Sequence, residues 1–236
     1  MVDFKEAAWG RPFAPVIAVD GQAGSGKSTL SKGLSQLLGL PTLGTGLFYR
    51  AASLWMLENE SRLLSDSTQL TEAISNLSIE IEEERTFLNG VDVTGRLRSS
   101  ELQDILPKVS ANPQIRSYLV GLQRSWVNAH GSSVVEGRDI GTVVFPTAYF
   151  KVFLRVSSEI QVLRRPEERE TIASRDLADS TRAVSPSTPA PDSVVFDTSN
   201  LSAQDVLDAV VTLLNARVEE LLSDELGIER KGSKRL

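Results

Sequence analysis

A glycine-rich stretch between residues 21 and 28 is the part of the sequence best suited to chemistry. It matches the pattern G-x-x-x-x-G-K-[ST], which wraps backbone N–H groups around phosphate oxygens. An apolar run precedes it and a helical pattern follows it, the context that this motif requires. We therefore predict that Lys27 contacts nucleotide phosphates and that the Ser28 hydroxyl binds Mg²⁺. The predicted nucleotide-binding residues of the loop are Gly21, Gln22, Ala23, Gly24, Ser25, Gly26, Lys27, Ser28 and Thr29.

The phosphate-binding loop alone does not identify a reaction. The sequence lacks the Asn-Lys-x-Asp signature of guanine-binding switches. A mechanical ATPase would normally have an apolar strand that ends in Asp or Asp-Glu, but here the run at 133–135 leads into Glu136-Gly-Arg138-Asp139. Since arginine binds anionic oxygens bidentately, Arg138 indicates a second anion besides the nucleotide.

The elements that must position these residues follow an alternating pattern. Short apolar runs followed by Gly, Ser or Asp are typical of buried parallel strands, and they occur at 15–19, 133–135, 150–156 and 193–196. Helical patterns occur at 27–38, 47–57, 113–127 and 203–222. Ser202 and Asp205 predict the N-cap of the last helix. The alternation predicts an α/β fold with a central parallel sheet and helices on both faces.

Two segments break this alternation. Residues 61–112 are polar and contain patterns of short antiparallel strands at 79–82 and 86–93, so we interpret them as an insertion. Residues 164–182 are rich in charge and contain a proline near their start. The charged residues 223–236 are typical of a partly disordered tail.

Composition limits the classes of function. The net charge of −6 and the pI near 5.0 argue against nucleic-acid binding, which needs a basic surface. The sequence has no cysteine and one histidine, His130, which excludes thiol chemistry and leaves little scope for a histidine metal site. No apolar run is long enough for a signal peptide or a membrane span, so we expect a cytoplasmic protein without a membrane partner.

Four further segments resemble those of cytidylate kinases. They are Gly44-Thr-Gly-Leu-Phe-Tyr-Arg50; Val109-Ser-Ala111 with Leu122-Gln-Arg124; Glu136-Gly-Arg-Asp-Ile-Gly-Thr-Val-Val-Phe-Pro146; and the segment from Arg175 to Pro186. With the phosphate-binding loop, they spread the resemblance from residue 16 to about residue 222. The third segment is the longest and the most specific.

The resemblance implies a three-layer P-loop fold with a central parallel sheet, an inserted monophosphate-binding subdomain and a short lid. The corresponding boundaries are a tail at 1–13, a kinase core at 14–60 and 113–222, an insertion at 61–112, a lid at 164–178 and a tail at 223–236. It also implies a monomeric kinase that uses Mg²⁺ and transfers the γ-phosphoryl group of ATP to CMP or dCMP. The preference between these two acceptors stays open.

The resemblance also implies roles for individual residues. Arg50, Arg138 and Arg182 would hold the acceptor phosphate and, with Lys27, form the catalytic set. Ser110, Arg124 and Asp139 would read the cytosine edge, since a carboxylate can accept a hydrogen bond from the exocyclic amine that uracil lacks. The remaining expected ligands are Tyr49, Arg175 and Asp179 at the sugar, Thr45 near the acceptor phosphate, and Arg164 at ATP.

Two departures from the family pattern bear on activity. Gly44 stands where the family has Asp, so a carboxylate that would order Mg²⁺ waters or the acceptor loop is missing. Only ten positions separate Arg165 from Arg175, far fewer than in the family's helical lid, so we expect a donor site that closes less completely. Two alternatives remain open. One is a kinase of another small acceptor, and the other is a catalytically weak, nucleotide-binding regulatory module.

Overall fold

The computed structural model of the chain describes residues 15–59, 67–166, 169 and 172–225, without the side chains of residues 174, 175 and 221–225. Strands and helices are labelled below in chain order. The predicted tail at 1–13 and the predicted tail beyond residue 225 lie outside the described residues, as does the side chain of Arg175.

Five parallel strands form the central sheet, in the order β2-β6-β1-β7-β8. The strands are β1 (Val16–Gly21), β2 (Thr42–Gly44), β6 (Ser133–Gly137), β7 (Phe150–Arg155) and β8 (Val194–Asp197). This confirms the predicted parallel sheet and its four apolar strands. The sequence prediction missed β2, because it is three residues long and contains one apolar side chain, Leu43.

Helices cover both faces of this sheet, as predicted. They include α1 (Lys27–Leu38), α2 (Gly46–Glu58), α5 (Pro113–His130) and α8 (Ala203–Glu225). Successive side chains of a strand point to opposite faces, so β1 contributes side chains to two hydrophobic clusters, one on each face of the sheet. Ile17 packs in a cluster with residues of α1 and α8, while Ala18 packs in a cluster with residues of α2 and α5. Across the described residues, every helix is too short or too polar to cross a bilayer.

The last helix has the predicted N-terminal cap. The Ser202 hydroxyl accepts a hydrogen bond from the Asp205 N–H at 3.1 Å, and the Asp205 carboxylate accepts one from the Ser202 N–H at 3.0 Å. These reciprocal bonds satisfy two N–H groups at the helix start.

The segment between α2 and α5 forms a second, antiparallel sheet of β3 (Ile79–Glu82), β4 (Arg85–Leu88) and β5 (Val91–Asp92). Two helices, α3 (Ser67–Ser75) and α4 (Leu106–Ala111), flank it. Alternate residues of β3 are buried, and Ile79 and Ile81 join the core cluster of α2 and α5. The strands lie where the sequence predicted them, while the exact domain boundaries stay a prediction.

Three further elements follow the carboxyl ends of the strands. A π-helical turn (Ile140–Val144) follows β6, and α6 (Ser158–Arg164) follows β7. The last of them, α7 (Ile172–Thr181), comes after α6 and overlaps the segment 164–178 that was predicted as the lid. Because they stand at the strand ends, they can reach the phosphate-binding loop.

We expect Gly21→Ala to destabilise the fold. Gly21 ends β1 with a φ of +148°, and a Cβ at this position would lie 2.3 Å from the Leu154 carbonyl oxygen of β7. Backbone atoms cannot yield as a flexible side chain can, so we expect a loss of roughly 3 kcal/mol or more in the free energy of unfolding.

Urea unfolding followed by circular dichroism measures this loss. Gly121→Ala is the matched control, because Gly121 lies within α5 with open space around its Cα, and alanine there should stabilise by about 0.5–1 kcal/mol. A Gly21→Ala protein as stable as the parent would contradict the packing argument.

Candidate active site

The phosphate-binding loop joins β1 to α1 at the carboxyl edge of the sheet. Gly24 and Gly26 have φ angles of +65° and +94°, which non-glycine residues rarely adopt. The buried Ser25 hydroxyl donates to the Gln22 carbonyl oxygen at 2.8 Å, and the Gln22 side-chain oxygen accepts from the Val156 N–H at 2.9 Å. The loop is therefore held from within and from the end of β7.

Lys27, the first residue of α1, lies within this loop. Its Nζ donates to the Gln22 carbonyl oxygen at 2.7 Å. Burial, followed by the nearby positive charge of Arg138, lowers the pKa of Lys27 to about 7, while Glu136 and Asp176 oppose this shift. An anionic phosphate beside the ammonium group would favour its charged form.

Ser28 and Glu136 form an oxygen-rich pair beside the loop. The Ser28 hydroxyl donates to the two carboxylate oxygens of Glu136 at 2.8 and 3.0 Å. Hydroxyl and carboxylate oxygens suit Mg²⁺, which usually takes its other ligands from water and substrate phosphates. These residues therefore fit a divalent cation held together with a nucleotide. Glu136 was not among the predicted binding residues.

Glu136 also occupies the space beside Gly44. The two residues are partners in the register of β2 and β6, and a Cβ at Gly44 would lie 3.4 Å from a Glu136 carboxylate oxygen. The predicted consequence of Gly44, a missing carboxylate near the Mg²⁺ waters or the acceptor loop, stays a prediction.

Four charged side chains connect the loop after β6 with α7. Arg138 donates to Asp176 at 2.7 Å and pairs with Asp179 at 3.1 Å, and Arg182 pairs with Asp179 at 3.3 Å. Arg138 also donates to the Gly21 carbonyl oxygen at 3.0 Å. The structure therefore brings the predicted residues Arg138, Asp179 and Arg182 together beside the phosphate-binding loop.

A buried ion pair lies behind this network. Arg116 of α5 pairs with Asp139, and the side chains are 3% and 6% exposed. The Arg116 guanidinium also lies over the Tyr49 ring, 5.1 Å from its centroid, and donates to the Ser110 carbonyl oxygen at 3.1 Å. Three predicted acceptor residues, Tyr49, Ser110 and Asp139, therefore meet at Arg116.

Arg116 was not predicted as a site residue. A signal was available in the sequence, because positions 116, 119, 123 and 127 follow one helical face, and the structure buries all four. An arginine and a glutamine on an otherwise apolar face need polar partners.

Several buried polar atoms around this ion pair lack a well-formed hydrogen bond among the described residues. They are Nε of Arg116 and of Arg182, and the Tyr49 hydroxyl with both side-chain amide atoms of Gln123, whose interaction with each other has poor hydrogen-bond geometry. Burial raises the pKa of Tyr49 to about 12, although the nearby Arg116 opposes the shift. Because buried polar groups usually find partners, this concentration indicates a site for a polar ligand.

Three other predicted acceptor residues contact backbone carbonyls. The exposed Arg124 donates to the carbonyl oxygens of Val143 and Val144 at 3.1 and 2.9 Å, so its guanidinium supports the end of the π-helical turn. Arg50 donates to the Leu97 carbonyl oxygen at 2.9 Å, and Thr45 to the Glu136 carbonyl oxygen at 2.9 Å. The structure pairs Asp139 with Arg116, and the role of Arg124 at the cytosine edge stays a prediction.

Arg164 lies on the other side of the loop, and its role at ATP stays a prediction. It donates to the Gly24 carbonyl oxygen at 3.2 Å and to the Thr198 carbonyl oxygen at 2.6 Å. A pocket of about 200 Å³ adjoins it, with Thr29 and Leu201 among its lining residues. A nucleotide with phosphates in the loop could extend its base into this pocket.

Asp20, at the end of β1, connects the loop to the π-helical turn. Its carboxylate accepts hydrogen bonds from the N–H groups of Ile140 and Gly141 at 2.8 and 2.7 Å. Burial raises the pKa of Asp20 to about 6, against the lowering effect of these two bonds.

The comparisons with known proteins agree with this geometry. The family model described as cytidylate kinase matches residues 17–216. The chain belongs to the cytidylate kinase family. A cytidylate kinase from Mycobacterium avium is 39% identical over 220 residues, which cover 86% of this chain and 96% of that protein. One from Thermotoga neapolitana is 36% identical, with 86% and 98% covered.

One longer relative is named for two activities. The bifunctional pantoate ligase/cytidylate kinase from Prochlorococcus marinus is 37% identical over 223 residues, which cover 86% of this chain and 43% of that protein. The chain thus spans less than half of this relative and almost all of the two cytidylate kinases above.

The pKa of Asp20 predicts the pH dependence of stability. The folded-state pKa of about 6 is above the ordinary value of 3.8 for an aspartate, so the folded state binds the proton more tightly than the unfolded state. The resulting stabilisation is present at low pH and is lost as pH rises through about 6. When the pH is lowered from 7 to 5, the free energy of unfolding of the parent should therefore rise by about 1.4 kcal/mol relative to that of Asp20→Asn.

Urea unfolding at both pH values measures this difference. Asp104→Asn removes an exposed carboxylate and serves as the control for the change in charge. If the stability of Asp20→Asn changes with pH as that of the parent does, the raised pKa of Asp20 is wrong.

Proposed function

We propose that the chain transfers the γ-phosphoryl group of Mg-ATP to CMP or dCMP, giving CDP or dCDP. The observation that carries this proposal is the position of Arg138. Arg138 contacts the phosphate-binding loop through Gly21 and the lid helix through Asp176 and Asp179. The next residue in the sequence is Asp139. A phosphate donor and a polar acceptor would thus meet at one guanidinium.

The donor side has the parts that an ATP site needs. The glycine turns and the N-terminus of α1 form an anion-binding loop with Lys27 inside it. Bound Mg²⁺ would neutralise charge on the β- and γ-phosphates, and Ser28 with Glu136 would hold it there. The pocket beside Arg164 supports binding of the base.

The acceptor side supports recognition of cytosine. Asp139 is held by Arg116, and a carboxylate has further lone pairs that can accept from an exocyclic amine. Uracil presents a carbonyl oxygen at the same position, which would face the carboxylate unfavourably. The buried polar atoms of Tyr49, Gln123 and Arg116 offer further hydrogen bonds to the nucleoside.

The transfer itself requires alignment and charge stabilisation. The acceptor phosphate is already an anionic nucleophile, so no general base is needed. Arg138 and Arg182 would bind its oxygens and offset its repulsion from ATP, with Arg50 as a third predicted contact. Lys27 would stabilise the charge on the transferred group. We also infer that the protein is cytoplasmic and monomeric. Light scattering on the purified chain would test the monomeric state.

We expect CMP and dCMP to be phosphorylated at least 10²-fold more efficiently than UMP, AMP or GMP. Discrimination of this size is typical when a substrate group pairs with a buried hydrogen-bonding group of the site. A coupled assay with the five monophosphates measures kcat/KM for each. Comparable turnover of AMP would favour a kinase of another acceptor, and absence of turnover with intact ATP binding would favour a regulatory module.

The Asp139→Asn variant tests the basis of this selectivity. The amide keeps the shape of the carboxylate but loses its charge, so the ratio of CMP to UMP efficiency should fall by about 10-fold or more. Removing one partner of a buried ion pair also destabilises the fold, so unfolding is measured alongside. Asp192→Asn, which removes a more exposed partner of Lys151, is the control. Unchanged selectivity would remove Asp139 from base recognition.

A further inference from the structure

Ala23, in the phosphate-binding loop, is held at both its backbone polar groups by side chains from α6 and α7. The Asp176 carboxylate accepts from the Ala23 N–H at 3.0 and 3.2 Å. The buried Gln161 amide donates to the Ala23 carbonyl oxygen at 3.0 Å and also to Asp176. The Ala23 N–H and the Gln161 amide therefore fix the Asp176 carboxylate independently of its contact with Arg138. Asp176 was not among the predicted site residues.

The same carboxylate holds Arg138. Nη1 of Arg138 donates to Asp176 at 2.7 Å and to the Gly21 carbonyl oxygen at 3.0 Å, while Nε pairs with Asp179 at 3.1 Å. Among the described residues these contacts use Nη1 and Nε, which leaves Nη2 to donate to a phosphate oxygen. A long side chain is thereby restricted to one orientation at the rim of the loop.

Asp176 also lies between like charges. The positive charge of Arg138 acts against the charged form of Lys27, and the Asp176 carboxylate favours that form. Without the carboxylate, Arg138 and Lys27 would repel each other across the loop, and the arginine would move towards solvent. Charge-assisted bonds such as Arg138–Asp176 are stronger than neutral ones.

We propose that Asp176 is a positioning residue for the phosphoryl transfer, which holds the Arg138 guanidinium at the rim of the phosphate-binding loop and fastens the lid helix to Ala23. This inference rests on the proposed function. Asp176 acts through Arg138, so its loss should affect the rate of transfer more than the binding of either nucleotide.

The test is Asp176→Asn, which keeps an oxygen for the Ala23 N–H but loses the charge that holds Arg138. We expect kcat to fall about 10- to 100-fold, the change that loss of a charge-assisted bond predicts. The KM for ATP should change by less than about 3-fold. Leu177→Ala is the matched control, because Leu177 is the next residue of the same helix and is 63% exposed. Unchanged kcat in Asp176→Asn, or equal losses in both variants, would overturn the proposal.

A double-mutant cycle separates positioning from general lid stability. In an Arg138→Lys background, Asp176→Asn should change kcat by less than about 3-fold, because its partner is already altered. A full 10- to 100-fold loss in that background would show that Asp176 does not act through Arg138. Tighter ATP binding with undiminished kcat in Asp176→Asn would also overturn the proposal, because the carboxylate would then only compete with phosphate.

NMR of the arginine side chains gives a readout that does not need turnover. In the parent, Arg138 should show separate Nη1 and Nη2 proton signals because its guanidinium is held, and these should merge in Asp176→Asn. Arg138→Lys assigns the signals. If the parent fails to phosphorylate CMP, the proposed function is wrong, and this measurement still decides whether Asp176 holds Arg138. Signals that stay separate in Asp176→Asn would overturn the positioning role.

Discussion

The parallel pairing of β1 with β6 and β7 is the constraint on which the rest of the site depends. Parallel strands bring their carboxyl ends to one edge of the sheet, and the register places Asp20 opposite Gly137 and Gly21 opposite Leu154. The phosphate-binding loop therefore starts beside the segment that contains Glu136 and Arg138. Donor and acceptor residues that are over 100 positions apart in the chain therefore become neighbours.

Charge balance explains how an acidic protein can bind two polyanions. The chain carries −6 overall, yet Lys27, Arg116, Arg138 and Arg182 converge on one edge. Each of these three arginines has a carboxylate partner: Asp139 for Arg116, Asp176 and Asp179 for Arg138, and Asp179 for Arg182. These carboxylates keep the cations from repelling one another, and they preserve the orientation of the arginines for a substrate phosphate.

Local patterns were enough to predict the loop, the apolar strands, the long helices and the capping box at Ser202, because each depends on residues near one another in sequence. Contacts between distant segments could not be predicted in this way. The pairing of Arg116 with Asp139 joins a helix to a loop 23 residues later, and the bond from Ala23 to Asp176 spans 153 residues. β2, an edge strand of the sheet, was missed because three residues are too few to show a pattern of apolar side chains.

The short lid concerns contacts that a count of residues does not reveal, and the incomplete closure expected from that count stays a prediction. Counting residues between Arg165 and Arg175 led to the expectation of an incompletely closed donor site. However, a lid closes the donor site through contacts with the phosphate-binding loop, and the length of the lid segment does not by itself decide whether these contacts form. The described parts of the lid region reach the loop from two sides, since Asp176 of α7 bonds to Ala23 and Arg164 of α6 bonds to Gly24. Because Asp176 bonds directly to Arg138, a short lid segment can still hold the Arg138 guanidinium near the phosphates. A shorter segment also loses less backbone entropy when it becomes ordered.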